Sequence, residues 1–247
     1  DFEPFYRSGY WGDAYNPYSV VEDGAVVANV SVNEICGLLH GRCRRYIQLG
    51  TVMTANACRG RGLSRMLMET VLRDFAGCDG FFLFANDTVL GFYPKFGFQP
   101  AQERRFFTEV RQDGACRAES VPMNTPKDWS RFLKEKNRRE SCGVFQLDAD
   151  GLLMFYLTGF MRENVYYLRP LDAYAIAGLD RGCLTLYDVF SPEPVAMERV
   201  VRCFGAAVNR AVFAFTPQDQ TGLTAYAHKQ EDTSFFLRGN PLLEDMG

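Results

Sequence analysis

The chain has 247 residues, 47% hydrophobic and 14% aromatic, enough for one large packed domain or two small ones. A formal net charge of -3, with no long run of like charge, gives no global attraction to nucleic acid, so any anion must be caught locally. No apolar run reaches the roughly 20 residues needed to span a bilayer, and the first residues lack the basic start and apolar core of a signal peptide. Neither nucleic acid nor membrane is expected as a partner, and a cytoplasmic location is expected.

In chain order, residues 1–17 read as the tail of a helix and a loop. Tyr18 to Val32 holds two β-rich runs around Glu22-Asp23-Gly24, a hairpin signal, and Arg44 to Thr54 continues as a third strand. There follows a basic turn with two glycines, "NACRGRGLSRML" from Asn56 to Leu67. Leu63, Met66, Leu67, Thr70, Val71 and Phe75 then recur at helical spacing, which predicts a helix with one apolar stripe. Gly80 to Asp87 is a short apolar run bounded by turn residues, the pattern of a strand buried on both faces. A second short helix leads into "FYPKFGF", and a strand is expected near "RRFFTEV". Strand, glycine turn, helix and strand make a crossover that lays two strands side by side and parallel. The glycine turn lies at the carboxyl end of its strand, where open α/β sheets bind ligands.

From Gly114 to Trp129 the periodicity dissolves, and a linker is expected over 114–129. The second half repeats the first in outline. Gly143 to Phe160 reads as a hairpin about Asp148 to Gly151; "CLTLYDVF" reads as a strand, "PVAMERVVRCF" as a helix with proline at its start, and "RAVFAFTP" as a buried strand. Its strand-to-helix turn is "SPEP", Ser191 to Pro194, whose prolines donate no backbone hydrogen bonds, so it cannot repeat the chemistry of the first turn.

Gly60 and Gly62 allow positive φ, so consecutive N–H groups can face one point while the helix adds its unpaired amides and positive dipole end. Arg59, Arg61 and Arg65 add fixed charge suited to a phosphate or pyrophosphate. The plainer alternative is a sharp turn with solvated arginines. The turn is neither a Gly-x-x-x-x-Gly-Lys loop nor a Gly-x-Gly-x-x-Gly fingerprint, because Arg65 stands at the third glycine. The eight cysteines include no Cys-x-x-Cys pair and no histidine at metal spacing, so no metal is expected and the thiols are expected to be reduced. Cys58 beside the turn has neither His40 nor His228 near it in sequence, which disfavours a nucleophilic role.

Arg59, Gly62 and Ser64 stand at the fixed positions of a Gln/Arg-x-x-Gly-x-Gly/Ala motif. Farther on, "NDTVLGFYPKFGF" places Asn86, Phe92, Tyr93, Gly97 and Phe98 in register with an Asn-x-x-Ala-x-x-aromatic-Tyr and Gly-Phe motif. On these two motifs the chain, from about Tyr18 to Val110, resembles the GNAT family of N-acetyltransferases. Ser64 in the last fixed position and Val89 in place of alanine are departures. The resemblance implies an α/β fold (α+β in some schemes) of two GNAT-like domains, each a mixed, central twisted sheet flanked by helices. It implies a catalytic domain over 1–113, without the family's N-terminal strand, and a degenerate copy over 130–247 that either shapes the acceptor site or stabilises the first. Truncation of the chain is the expected reason for the missing strand. The resemblance also implies acetyl-CoA as cosubstrate, its pyrophosphate on the amides of Arg59, Gly60, Arg61, Gly62, Leu63 and Ser64. Its pantetheine arm would run beside Val52, Met53 and Thr54 and be touched by Asn86, which could also cap the helix that follows. Tyr93 would protonate the departing thiolate. Glu34 is the candidate base; His40 and His228 are weaker, the latter read as a surface or capping residue.

The expected activity is transfer of an acetyl group to a primary amine, most simply of a small molecule, with a cationic acceptor such as an aminoglycoside, polyamine or amino sugar favoured by the acidic overall charge. The alternatives are a coenzyme A-binding sensor without turnover, and nucleic-acid binding through Arg42, Arg44, Arg45 and the glycine turn.

Overall fold

The structure, a computed structural model, describes residues 3–111 and 113–239. A short helix α1 (Glu3–Arg7) precedes the hairpin of β1 (Tyr15–Glu22) and β2 (Ala25–Leu39), then β3 (Arg42–Thr54), α2 (Leu63–Asp74), β4 (Gly80–Asn86) and β5 (Gln99–Pro100). Next come β6 (Glu103–Glu109), β7 (Ala118–Ser120), α3 (Pro126–Lys136), β8 (Glu140–Ser141), β9 (Phe145–Asp148) and α4 (Asp150–Leu157). The chain continues with β10 (Val165–Leu168), β11 (Ala173–Asp180), β12 (Cys183–Ser191), α5 (Met197–Arg202), β13 (Arg210–Phe213), β14 (Thr224–His228) and β15 (Thr233–Gly239).

Two mixed sheets result, in an α/β architecture. The first runs β1-β2-β3-β4-β15-β5, with β9 also on β2; the second runs β14-β6-β13-β12-β11-β10-β7, with β8 on β12. Asp23 and Gly24, both at positive φ, close the expected first hairpin. β3 and β4 pair in parallel across α2, and β12 and β13 pair in parallel across α5, so both predicted crossovers form.

The sheets do not part where the linker was expected. Strand β6 leaves the first half to pair with β13 and β14, and β15 crosses back from the last residues to lie between β4 and β5. Within 114–129, β7 pairs with β10, and Thr125 with Asp128 forms a reciprocal capping box that starts α3.

The expected hairpin over Gly143 to Phe160 is corrected to the strand β9 and the helix α4. Leu152 to Leu157 is an unbroken apolar run without the alternation of a half-buried strand, and the helix buries Met154 and Leu157 with α3 and β11. The hairpins of the second half are instead β10 with β11 and β11 with β12, the latter turning at Arg181 and Gly182. Among the described residues no helix is long and apolar enough to cross a membrane.

Candidate functional site

The first sheet buries Ala28, Val30, Val32, Ile47 and Leu49 against Leu67, Met68 and Val71 of α2, which fixes α2 on one face of the sheet. The alternate residues of β2, Asn29, Ser31 and Asn33, therefore face the other way.

β3 and β4 pair only from Tyr46 opposite Gly80 to Leu49 opposite Leu83. Beyond that point β3 follows β2, with Met53 opposite Asn29, while β4 follows β15, with Asn86 opposite Thr233. Right-handed sheet twist and the separate partners drive the two carboxyl ends apart, leaving a wedge between residues 50–54 and 84–86 whose facing backbone edges are not paired to each other. A bulge marks the wedge's start: two residues of β3, Thr51 and Val52, oppose the single Val30 of β2. Thr51 is held at φ 46°, and its carbonyl accepts a 3.0 Å hydrogen bond from Asn29 Nδ2. Asn29 Nδ2 also reaches Ser31 Oγ at 3.0 Å, which shares a 2.8 Å bond with Tyr15 Oη. A buried polar chain thus leads from Tyr15 to the backbone at the wedge. The polar beats of "ANVSVNE" within an apolar strand were its sequence signal.

The glycine turn stands at the wedge's mouth. Gly60 (φ 77°) and Gly62 (φ 79°) are both left-handed, and a Cβ at either would meet nothing within 4 Å. The freedom of glycine is thus used for backbone shape, and open space lies over the turn. Gly62 is the N-cap of α2, so the amides of Leu63, Ser64 and Arg65 occupy the first helical turn, where no intrahelical acceptor exists. Thr54 and Ser64 share a 2.5 Å hydroxyl bond that ties the strand's end to the helix start. Among the described residues Arg59 makes no ion pair. Arg61 binds Glu22 of the β1–β2 turn at 2.6 and 2.8 Å, and this holds the Glu22 carboxyl below its ordinary range. Arg65 lies 3.6 Å from Glu69 and over the Phe96 ring.

Asn86 spends its Oδ1 on Thr88, accepting from its N–H at 2.9 Å and its hydroxyl at 2.6 Å, so it caps the turn after β4. Tyr93 is 6% exposed, its ring against Phe92, Phe98 and Phe236 of β15, and its hydroxyl has no hydrogen-bond partner among the described residues. Burial pushes the phenol above its ordinary 10. Val52 packs toward α2, whereas Met53 is exposed.

On the face away from α2, a cavity of about 510 Å³ adjoins the wedge at Gly50 and Thr51. It lies where the edge beside β2 is interrupted: β1 begins opposite Asn33 and β9 takes over at Cys36. Glu34 lines this gap, but its side chain shares the α2 face with Ile47 opposite it on β3, and its carboxylate accepts from Arg45 Nε at 2.8 Å. The segment before β1 closes the cavity against α4; at Gly151 a Cβ would stand 2.9 Å from the Tyr10 carbonyl oxygen, so only glycine admits that approach. His40 lies in the exposed β2–β3 turn at φ 49°. His228 is corrected from a surface cap to a half-buried member of β14, where burial and Arg105 depress its pKa.

The second crossover has no such wedge. β12 and β13 part after Leu186 and Phe213, but residues 140–144 enter between them. Ser141 pairs with Phe190, Cys142 N–H donates to the Val189 carbonyl at 2.8 Å, and Gln218 N–H donates to the Cys142 carbonyl at 2.9 Å. The chain's own strand fills the position that stays open in the first sheet.

Residues 15–100 match the family model of the acetyltransferase (GNAT) domain. A structure from Enterococcus faecalis, described as a conserved protein of unknown function and probable N-acyltransferase, shares the fold with a TM-score of 0.57 at 14% identity, over 96% of this chain and 64% of its own. A GCN5-related N-acetyltransferase from Anabaena variabilis gives 0.57 at 13% identity, over 96% of this chain and 65% of its own. Eis1 from Mycobacterium abscessus gives 0.55 at 11% identity, over 96% and 69%. The chain thus spans less than two thirds of the first two structures, and at these identities the likeness is one of fold. No curated protein matches the sequence. The wedge with its glycine turn and the family match coincide on one stretch of chain, residues 15–100, which is similar to the acetyltransferase (GNAT) domain.

Proposed function

We propose that the protein is an N-acyltransferase that moves an acetyl group from acetyl-CoA to a primary amine of a small molecule. The observation that carries this reading is the wedge: β3 and β4 cease pairing at Leu49 and Leu83 and leave strand edges free beside a left-handed glycine turn at a helix N-terminus. The amides of Arg59 to Ser64, with the Arg59 side chain, which makes no ion pair among the described residues, would hold a diphosphate. The edges of 52–54 and 84–86 offer hydrogen bonds to the two amides of a pantetheine arm, as an added strand would use them. Asn86 keeps its Nδ2 for that arm, since its Oδ1 is taken by Thr88. Acetyl-CoA, when bound, supplies the thioester.

The amine nitrogen attacks the thioester carbonyl carbon, the carbon–sulfur bond breaks, and Tyr93 gives its proton to the departing sulfur. The phenol, which burial pushes above its ordinary 10, is protonated at neutral pH, as an acid must be. The attacking ammonium first loses a proton, for which Glu34 is the candidate acceptor. Glu34 sits three residues along β2 from Ser31, the partner of Gly50, so about 10 Å of strand separates it from the wedge and the transfer needs an intermediary. Water at the gap between β1 and β9 would serve.

Calorimetric titration with acetyl-CoA and measurement of thiol release across an amine panel test this reading. Binding with release for at least one amine is expected. Binding without release for any amine would make the protein a coenzyme sensor, and no binding would remove the wedge as the site.

A further inference from the structure

The cavity beside the wedge has walls of two kinds. Five rings, Phe5, Trp11, Tyr15, Phe155 and Tyr156, line it from the N-terminal segment, the start of β1 and α4. They are locked by mutual edge contacts: Trp11 and Tyr15 centroids are 5.2 Å apart at 81°, and Phe5 and Phe155 are 5.3 Å apart at 76°. Three carboxylates, Asp13, Glu34 and Asp148, also line it, with no lysine, arginine or histidine among the described lining residues. Only Glu34 of the three is ion-paired within the described chain. With Asp13 and Asp148 uncompensated among the described residues and ring faces beside them, the wall favours a cation, and ring quadrupoles strengthen that preference.

The remaining polar groups of the wall are largely satisfied internally. Ser31 bonds Tyr15 and Asn29, and Asn33 Nδ2 donates to Gln48 Oε1 at 3.3 Å. Beyond the carboxylates a body carrying many hydroxyl groups would lose water there with few partners to gain, whereas a flat apolar body would lose only its hydrophobic hydration. A cavity of this size matches one compact ligand.

We infer that the ligand of this cavity is a primary amine borne on an aromatic or similarly flat apolar body, rather than a polyamine or a polyhydroxylated amino sugar. Its ammonium faces the carboxylates of Asp13 and Asp148, and its ring lies among Trp11, Phe5 and Phe155. That this ligand is the acyl acceptor rests on the acyl-transfer reading; its binding does not.

Trp11 reports on the site directly, because the second tryptophan, Trp129, is held in α3 with its Nε1–H on the Met123 carbonyl. Tryptophan fluorescence of the full chain is titrated with 2-phenylethylamine, cyclohexylmethylamine, spermidine and tobramycin, without coenzyme. Thiol release from acetyl-CoA is then measured with the same amines. The expected result is at least tenfold tighter binding of 2-phenylethylamine than of spermidine or tobramycin, and the same order in kcat/KM. Trp11→Leu, read by calorimetry, is expected to weaken the aryl amine at least tenfold while leaving acetyl-CoA affinity unchanged; Phe155→Leu serves the same purpose if the first variant does not fold. Equal or tighter binding of spermidine or tobramycin, or unchanged aryl-amine affinity in a folded variant, overturns the inference. Preferential acetylation of spermidine overturns it too while sustaining acyl transfer. Tight aryl-amine binding with no thiol release sustains the ligand class and overturns acyl transfer.

Discussion

Replacing Gly62 by alanine separates backbone strain from ligand contact. Gly62 sits at φ 79°, and its added Cβ would meet nothing within 4 Å, so the folded chain suffers no clash. The cost is that of holding an L-residue in the left-handed region, about 1–2 kcal/mol. For a chain of this size each kcal/mol lowers Tm by about 2–4 °C, so a fall of about 2–8 °C is expected. Gly41, in the β2–β3 turn at the far end of those strands, has φ 73° and equally open surroundings, so Gly41→Ala should cost the same. The two variants should differ only in ligand binding. A methyl group over the start of α2 would stand where the diphosphate is proposed to lie. Losing one charge-assisted hydrogen bond there is worth about 1.5–3 kcal/mol, a Kd for coenzyme A raised roughly 10- to 100-fold. Pantetheine, which lacks the diphosphate, should bind both variants like the parent. Calorimetry with both ligands and thermal unfolding of both variants make the comparison. Equal coenzyme affinity in the two variants would refute the placement of the diphosphate, and an unchanged Tm in both would refute the strain argument.

Tyr93→Phe should lower kcat by about 10²–10⁴-fold with little change in acetyl-CoA affinity; because burial raises the phenol above 10, an alkaline fall in kcat should begin only beyond that pH, and undiminished turnover would remove Tyr93 as the acid. Asp188, half-buried and accepting from Ser141 Oγ at 2.7 Å, has its pKa pushed from 3.8 to about 6 by desolvation. Between about pH 4 and 6 the unfolded chain has shed a proton that the folded chain keeps, so stability should fall as pH rises through that window, by at most about 3 kcal/mol, and then level off. Asp188→Asn should flatten this slope in urea unfolding at pH 4.5, 6 and 7.5; a slope as steep as the parent's would assign it to other groups. Phe236 of β15 is 2% exposed against Tyr93, so Phe236→Ala should cost about 3–5 kcal/mol, and residues 1–113 alone, lacking β15, should show no cooperative unfolding. A cooperatively folded 1–113 fragment would show that β15 is dispensable to the first sheet.

The sequence by itself determined what neighbours in the chain decide. Glu22-Asp23-Gly24 dictated a hairpin turn, apolar spacing from Leu63 to Phe75 dictated α2, and the glycines at 60 and 62 dictated a left-handed turn before it, because each follows from residues a few positions apart. The placement of 52–54, 59–64, 86 and 93 at the carboxyl ends of β3 and β4 then follows from the single crossover. Tertiary structure alone decided which strand joins which sheet. β6 and β15 carry ordinary strand patterns, and nothing local tells β15 to pair with β4 about 150 residues earlier, where Lys229 and Ser234 also meet Asp87. The closing of the second wedge by residues 140–144, and the ring-lined cavity made from the N-terminal segment and α4, were likewise hidden. Side-chain pattern records which face of an element is apolar, whereas the identity of the surface that covers it is settled only when distant segments compete to bury the same area.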